Sequence, residues 1–280
     1  MNSDCVSITV LVDNQVVDGL QAEHGLSFFI ETTAGNIIFD TGQGGVLTGN
    51  AEFLNIDLLQ SEFLVLSHGH YDHSGGVGDL LNLNPELKLF MHPDAMQKRY
   101  SCHHDCPVKD ISMPEEVCRK IVGHPLVIPV TGPREIVHGI WLSGEIPRKT
   151  DFEDVGGPFF LDPESHTADP IIDDLSLYIE TASGLVVVPG CCHSGIVNTV
   201  KYIREISGIE KVKGIIGGMH LLHASEARLT RTCEEIAEWN PDFVIPCHCS
   251  GDGAVKAMRE RLREVVQQGY AGLVIRIPLR

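Results

Sequence analysis

The sequence lacks features that mark several large classes of protein. It has no run of about 18 apolar residues, which excludes a membrane-spanning helix of ordinary length. Basic residues are scarce, since 21 Lys and Arg face 38 Asp and Glu and give a formal net charge of −17. Such a surface repels phosphate backbones and anionic membranes, so we expect neither a nucleic acid nor a membrane as partner. The first residues also lack the basic and apolar regions of a secretory signal, and we expect a cytoplasmic location.

Cysteine is present, but in no pattern that suggests a disulfide framework. The nine cysteines are odd in number and irregular in spacing, and thiols stay reduced in a cytoplasm. Histidine is abundant, with 14 residues in 280 positions, and it is the side chain that most often ligates transition metals. The two residue types together favour metal binding or thiol chemistry over cross-linking.

The order of apolar runs predicts an α/β protein. The first forty residues contain three runs rich in β-branched and aromatic residues, and further apolar runs follow at 63–67 and 88–92. After about residue 170, strands alternate with periodic helical segments. We predict a single domain of packed layers over residues 1–280. The proline-rich segment at about 93–160 is predicted to be an insertion that covers the site.

The strongest motif is SHGHYDHSGG at 67–76, directly after an apolar strand. It offers His68, His70, Asp72 and His73 within six positions. Imidazoles at i and i+2 of a strand end point the same way and can share one cation. The carboxylate and the last imidazole, on the following turn, can face a second cation. The motif therefore predicts two adjacent metal sites.

This motif resembles that of the metallo-β-lactamase superfamily, and the resemblance implies a four-layer αββα sandwich with the metal site at one edge. Asp40, in IIFDTG, matches an early aspartate of the superfamily that supports the ligands, and His248, in PCHCSG, matches its last metal histidine. One branch is especially similar, the dihydropterin ribofuranosylaminobenzene phosphate synthase-like group. Its resemblance rests on the segments EHGLS, FDTG, GEIPR, GCCHSGIVNT, GGMHL and PCHCSG.

The resemblance also implies a ligand set for two divalent metal ions. His68 and His70 would hold the first ion, while Asp72, His73 and His248 would hold the second. Zinc is the metal expected, with iron and manganese as alternatives.

The third ligand of the first ion is open between two histidines. His193 is favoured because a strand end restricts its freedom, and His166, further upstream, is the alternative. The superfamily's bridging Gly-Asp falls at Gly190-Cys191 in this sequence, so a carboxylate is missing. Cys191 either ligates as a thiolate or packs as a small buried apolar residue.

Four residues are predicted to act in catalysis or substrate binding. Asp72 would orient the attacking hydroxide, and His220, in GGMHL, would protonate a leaving group or bind an oxyanion. Arg148, in GEIPR, would bind a phosphate ester, and His24, in EHGLS, would line the pocket. The Cys and His residues at 102–106 lack the further ligand pair that a separate zinc site requires.

Together these inferences predict a dinuclear metal-dependent hydrolase or transferase that acts through a metal-bound hydroxide. Its substrate would be a small, anionic, phosphorylated or pterin-like molecule. One alternative is a phosphodiesterase or nuclease of the same superfamily, although the acidic surface disfavours RNA. Another, from a different class, is a non-catalytic metal or thiol redox sensor.

Overall fold

The computed structural model describes residues 5–103 and 106–279. The strands of this part of the chain are β1 (Cys5–Val12), β2 (Ser27–Glu31), β3 (Asn36–Phe39), β4 (Ser61–Val65), β5 (Lys88–Met91), β6 (Tyr100–Ser101), β7 (Lys109–Asp110), β8 (Val127–Pro129), β9 (Arg134–Val137), β10 (Ile140–Leu142), β11 (Phe159–Phe160), β12 (Ser176–Thr181), β13 (Gly184–Pro189), β14 (Val212–Gly218), β15 (Phe243–Cys247) and β16 (Val274–Pro278). The α-helices of the same residues are α1 (Leu47–Phe53), α2 (Tyr71–Ser74), α3 (Val77–Leu83), α4 (Glu115–Val122), α5 (Ile196–Ser207), α6 (Glu226–Trp239) and α7 (Asp252–Leu262). Among these helices, none is both long enough and apolar enough to cross a membrane.

Most of the strands belong to two large mixed sheets. The first has the order β16-β1-β2-β3-β4-β5-β8, and the second has the order β15-β14-β13-β12-β10-β9. In the second sheet every residue of β13, GLVVVP, is buried. An uninterrupted apolar strand of this kind is typical of a sheet covered on both faces.

The two sheets and their helices form four layers with three separate apolar cores between them. Phe28 of the first sheet and Leu177 of the second belong to the core between the sheets. Val200 of α5 lies in the core outside the second sheet, and Leu80 of α3 lies in the core outside the first. Three cores between four layers confirm the predicted αββα sandwich.

The segment at 93–160 was predicted to be an insertion that covers the site, and it also adds strands to both large sheets. Its strand β8 extends the first sheet, and β9 and β10 extend the second. The short runs of β8 and β10 pair with strands that were already predicted, β5 and β12, and β9 pairs with β10. A small third sheet with the order β11-β6-β7, together with residues that flank its strands, contributes to the wall of the site cavity.

The fold brings several strand ends to one edge. Strands β13, β14 and β15 are parallel neighbours, and β4 lies parallel to β3 in the other sheet. The Leu175 N–H donates to the Ser67 carbonyl with an N···O distance of 2.9 Å, which links the end of β4 to the second sheet. Residues that follow these strands therefore gather at a common edge, where open α/β sheets usually carry their sites.

Candidate metal centre

The first group of candidate ligands consists of His68, His70 and His193, and we call it the imidazole cluster. All three side chains are buried. Nε2 of His68 lies 2.9 Å from Nδ1 of His70, and the His193 ring centroid is 4.8 Å from that of His68. The cluster joins the end of β4 to the loop after β13, as the sequence predicts.

The His193 ring is oriented for a cation. Its Nδ1 lies 2.8 Å from the Val155 carbonyl oxygen, which can only accept, so Nδ1 carries the proton and Nε2 the lone pair. That Nε2 is buried without a hydrogen-bond partner in the described part of the chain. Burial, followed by the neighbouring imidazoles, holds the pKa of His68 and His193 well below the usual value. Neutral imidazoles with an unpartnered nitrogen are the form that binds a metal ion.

The second group is His24, Asp72 and His248, which we call the carboxylate cluster. Oδ2 of Asp72 lies 3.0 Å from Nε2 of His24 and 3.4 Å from Nε2 of His248. Burial alone would raise the pKa of Asp72, but the hydrogen bonds from the two imidazoles outweigh it and hold that pKa well below the usual range. An anionic oxygen beside two imidazoles fits a second divalent cation.

The membership of this cluster differs from the predicted one. His24 was expected to line the pocket, and it stands among the candidate ligands. His73 was expected to share an ion with Asp72 and His248, and it lies beside that group, with its ring centroid 5.2 Å from that of His248. His24 enters because the loop before β2 folds over α2, where the Leu26 N–H donates to the Asp72 carbonyl.

His73 and Cys191 lie between the two clusters. Nε2 of His73 is 3.0 Å from Sγ of Cys191, and Nδ1 is 2.7 Å from Oδ2 of Asp40. Burial alone would lower the pKa of His73, but the Asp40 carboxylate outweighs it and raises that pKa to about 9. The Cys191 sulfur lies within 4.8 Å of ligand atoms from both clusters, those of His68 and of His248. The thiol thus lies where it can contact an ion in either cluster.

Strained backbone marks the same edge. Asp40, Cys192, His220 and His248 all have positive φ, at 61°, 64°, 44° and 45°. Residues other than glycine adopt this left-handed conformation at a cost of about 1–3 kcal/mol each, and such residues concentrate at functional sites. These four residues follow four different strands, β3, β13, β14 and β15, so the strained positions lie where the chain leaves each strand at this edge.

His220 borders the imidazole cluster. Its ring centroid is 4.3 Å from that of His193, and its Nδ1 is buried without a hydrogen-bond partner among the described residues. Burial first, then His248 and Arg228, lowers the pKa of His220 to about 3. Gly156 packs directly on this ring, because a Cβ at that position would lie 2.1 Å from Nδ1. The imidazole is therefore neutral at neutral pH and fixed in position.

A cavity of about 530 Å³ opens onto both clusters. Candidate ligands from both of them, with Cys191 and His220, line it together with Phe159 of the small sheet. The Phe159 ring is 5.4 Å from that of His193. His103 and Cys106 also line the cavity, while His104 and Asp105 of the same segment lie outside the described residues. A volume of this size suits a small-molecule ligand.

Arg148, which was predicted to bind substrate, does not line this cavity. Arg148 is exposed and its Nη2 donates to the Ile171 carbonyl at 3.0 Å. The chain after it is held against α5, because the backbone N–H groups of Lys149 and Thr150 both donate to Oδ1 of Asn198. This anchorage explains why Arg148 is absent from the cavity lining, contrary to its predicted contact with substrate.

The competing histidine also lies apart from the metal centre. The side chain of His166 is 81% exposed, with Nδ1 3.8 Å from Oδ1 of Asp162. It belongs to neither cluster of candidate ligands. The geometry thus groups His193 with His68 and His70 and leaves His166 on the surface.

Asp13 and Asn14 support His248 and were missed in the sequence. Oδ2 of Asp13 accepts the His248 N–H at 2.9 Å, and Oδ1 of Asn14 lies 2.8 Å from Nδ1 of that ring. A bonded Nδ1 leaves Nε2 directed at the carboxylate cluster. The available signal was an Asp-Asn pair directly after the first predicted strand.

Arg99 was also missed as a support of the metal loop. It is 1% exposed, and its Nη1 and Nη2 lie 2.8 Å and 2.7 Å from the two carboxylate oxygens of Asp173. Nε lies 3.2 Å from Oδ2 of Asp169. Oδ2 of Asp173 also accepts the Gly69 N–H at 2.8 Å, between the first two histidines of the motif. A buried ion pair therefore anchors the loop that carries half of the candidate ligands.

Known proteins resemble this chain in both sequence and structure. The family model of the metallo-beta-lactamase superfamily matches residues 20–248. In Methanocaldococcus jannaschii, 7,8-dihydropterin-6-methyl-4-(beta-D-ribofuranosyl)-aminobenzene-5'-phosphate synthase is 31% identical, covering 91% of this chain and 90% of the relative. A second protein of that organism, MJ0448, is 31% identical, covering 96% of this chain and all of the relative.

A solved structure extends the similarity to three dimensions. The structure of Tm1679, a metal-dependent hydrolase of the beta-lactamase superfamily, matches with a TM-score of 0.84 at 27% sequence identity. The match covers 98% of this chain and 99% of that one. The layered fold of this chain is therefore also the fold of a metal-dependent hydrolase.

Proposed function

This chain belongs to the metallo-beta-lactamase superfamily, and from that membership we propose a dinuclear metal-dependent hydrolase or transferase for small phosphorylated or pterin-like molecules. The superfamily and the His-rich clusters support a metalloenzyme of hydrolase type. One observation carries the proposal of two ions. Among the overlapping groups of candidate ligands, the imidazole cluster and the carboxylate cluster share no residue, and the Cys191 thiol lies between them. His70 of the first cluster and all three residues of the second line one cavity.

The donor atoms present fit divalent ions. The imidazole cluster would hold one ion and the carboxylate cluster the other, with the Cys191 sulfur in reach of both. Imidazole, carboxylate and thiolate together favour zinc, and a thiolate ligand also suits iron. When bound, two such ions polarise a phosphoryl or carbonyl oxygen and lower the pKa of a coordinated water.

Two side chains then have separate tasks. Asp72 stays anionic because its pKa is low, so it can accept a hydrogen bond from the attacking water and orient it. His220, with a pKa of about 3, is neutral at neutral pH and offers one N–H. A neutral imidazole stabilises a developing negative charge by hydrogen bonding. The geometry and the low pKa of His220 thus favour the oxyanion-binding role over that of a proton donor.

The substrate class is proposed from chemistry and similarity together. The Methanocaldococcus jannaschii relative is named as the synthase of a pterin-bearing aminobenzene phosphate, which supports a transferase alternative with a related substrate here. The net charge of −17 supports a small molecule over a nucleic acid or a membrane surface. We therefore propose a small anionic substrate for this cavity.

A thiol redox sensor is the second candidate. Sγ of Cys249 donates to the Cys191 carbonyl at 3.5 Å, and both sulfurs lie within 4.8 Å of each other and of a His248 nitrogen. Oxidation of these thiols by peroxide would remove donor atoms from the metal centre. A sensor would release metal on oxidation and show no turnover, whereas an enzyme must turn over.

The test combines metal content with turnover. Protein purified anaerobically without chelator is expected to contain about two equivalents of zinc, iron or manganese by plasma mass spectrometry. It should hydrolyse bis(p-nitrophenyl) phosphate, and His70→Ala should abolish that activity because one imidazole of the first site is lost. His138→Ala is the matched control, since that side chain is 95% exposed.

Two results would contradict the proposal. Full phosphodiesterase activity in His70→Ala would remove the imidazole cluster from the reaction. One equivalent of metal or fewer in active wild-type protein would require a mechanism with a single ion.

A further inference from the structure

Lys109 is the single lysine or arginine among the described residues that line the cavity. Carboxylates of the lining include Asp13, Asp72 and Asp252, and the chain as a whole is strongly acidic. An anionic substrate would meet repulsion along such a wall. One ammonium at this position offsets that repulsion locally.

The backbone fixes Lys109 relative to the candidate ligands. Lys109 begins β7, and two residues later the Ile111 carbonyl accepts the Tyr71 N–H at 3.1 Å. The next residue, Ser112, forms an isolated β-bridge with His70. The segment that carries the ammonium is thus bonded to the loop that carries His70 and the Asp72 carboxylate.

A tyrosine holds the ammonium in place. Nζ of Lys109 donates to Oη of Tyr71 at 2.5 Å and lies 4.3 Å from the centre of the Tyr71 ring. A phenol is neutral, so this contact positions the positive charge without cancelling it. The ammonium has three N–H donors, and the phenol keeps its own O–H. The pair therefore presents donors of two kinds beside the metal centre.

We propose that Lys109 and Tyr71 recognise an anionic group on the body of the substrate, separate from the group that reacts at the metal centre. This inference rests on the proposed function, and it assigns to Lys109 and Tyr71 the anion-binding role that was predicted for Arg148. A lysine binds phosphate or carboxylate as a compact point charge. Phe159 and Leu222, which also line the cavity, offer apolar surface to the rest of such a substrate. The substrate class is an apolar or aromatic body with an anionic substituent.

Binding of three matched phosphate diesters to the full-length, metal-loaded protein tests this inference. The ligands are diphenyl phosphate and two analogues in which one ring carries a carboxylate or a phosphate monoester. Their diester groups are alike, so differences between them report the ring substituent. By calorimetry, Lys109→Gln should weaken both substituted ligands about fivefold, as an exposed charge pair allows. Diphenyl phosphate should bind unchanged, and Lys109→Arg should retain the preference.

Lys98→Gln is the control variant. Lys98 is an exposed lysine that pairs with Asp110 at 3.2 Å and is not part of the cavity lining. A greater loss with the phosphate-bearing ligand would assign phosphate, and a greater loss with the carboxylate-bearing ligand would assign carboxylate.

Three results would overturn the inference. They are wild-type protein with no preference for the substituted ligands, an equal effect of Lys109→Gln on all three ligands, and the same loss in Lys98→Gln. Calorimetry reports binding and not product formation. Failure of the His70→Ala experiment would therefore reject the proposed reaction, and the binding result could still be interpreted.

Discussion

The imidazole cluster and the carboxylate cluster share one cavity but are built differently. All three rings of the imidazole cluster are buried, and buried neighbours such as Ser67 and the Val155 carbonyl orient them. The carboxylate cluster contains an anion, and one of its rings, that of His24, is 53% exposed. The first cluster is held by the interior of the protein, whereas the second depends on a loop at its surface. Substitution of the buried residues that support the imidazole cluster should therefore reduce stability and metal affinity more than substitution of the exposed His24 ring.

Loss of Arg99 should have the largest effect. Arg99→Met leaves the carboxylates of Asp169 and Asp173 buried without their cation, which should cost about 3–5 kcal/mol of the free energy of unfolding. Because Asp173 also holds the Gly69 N–H, affinity for the ion of the imidazole cluster should fall as well. Urea unfolding and metal titration measure the two effects. Arg148→Met, at an exposed arginine, should change neither, and a fully stable Arg99→Met protein would contradict the anchoring role.

Removal of His193 should have the second-largest effect. His193→Ala should lose about one metal equivalent and at least about 100-fold in activity, since one of the three imidazoles is gone. His166→Ala should keep both ions, because its side chain lies on the surface. Plasma mass spectrometry of the two purified variants decides between them. Loss of an ion in His166→Ala alone would show that the grouping of His193 with His68 and His70 is wrong.

Removal of His24 should be the smallest of the three. His24→Ala should weaken one of the two ions about tenfold, because Asp72 and His248 remain and the lost ring is half exposed. The ion of the imidazole cluster should keep its affinity. Competition titration with a chelator resolves the two sites, with His138→Ala as control. Equal weakening of both ions would show that the clusters are one cooperative site.

Local sequence patterns predicted most of the strands and the histidine motif at the centre of the site. Strands β1 to β5 and β12 to β16 could be predicted because their runs are rich in apolar and β-branched residues and are separated by turn residues. The motif at 67–76 could be recognised because its four candidate ligands lie within six positions of the sequence. Strands β8, β9 and β10 were missed because runs of three or four residues are too short to predict a strand by themselves. They become strands by pairing with neighbouring strands.

The amino-acid sequence alone determined an α/β domain of packed layers and the histidine motif, since both follow from residues close together in the chain. The four-layer arrangement was expected from the resemblance to a known superfamily. Tertiary structure decided the rest of the centre. It placed His24 with Asp72, set Cys191 between the clusters, put Lys109 at the cavity and left Arg148 and His166 outside it. These outcomes depend on contacts between segments far apart in the chain, such as the bond from the His248 N–H to Asp13. Such contacts leave no local pattern, because the folded backbone fixes which distant side chains meet.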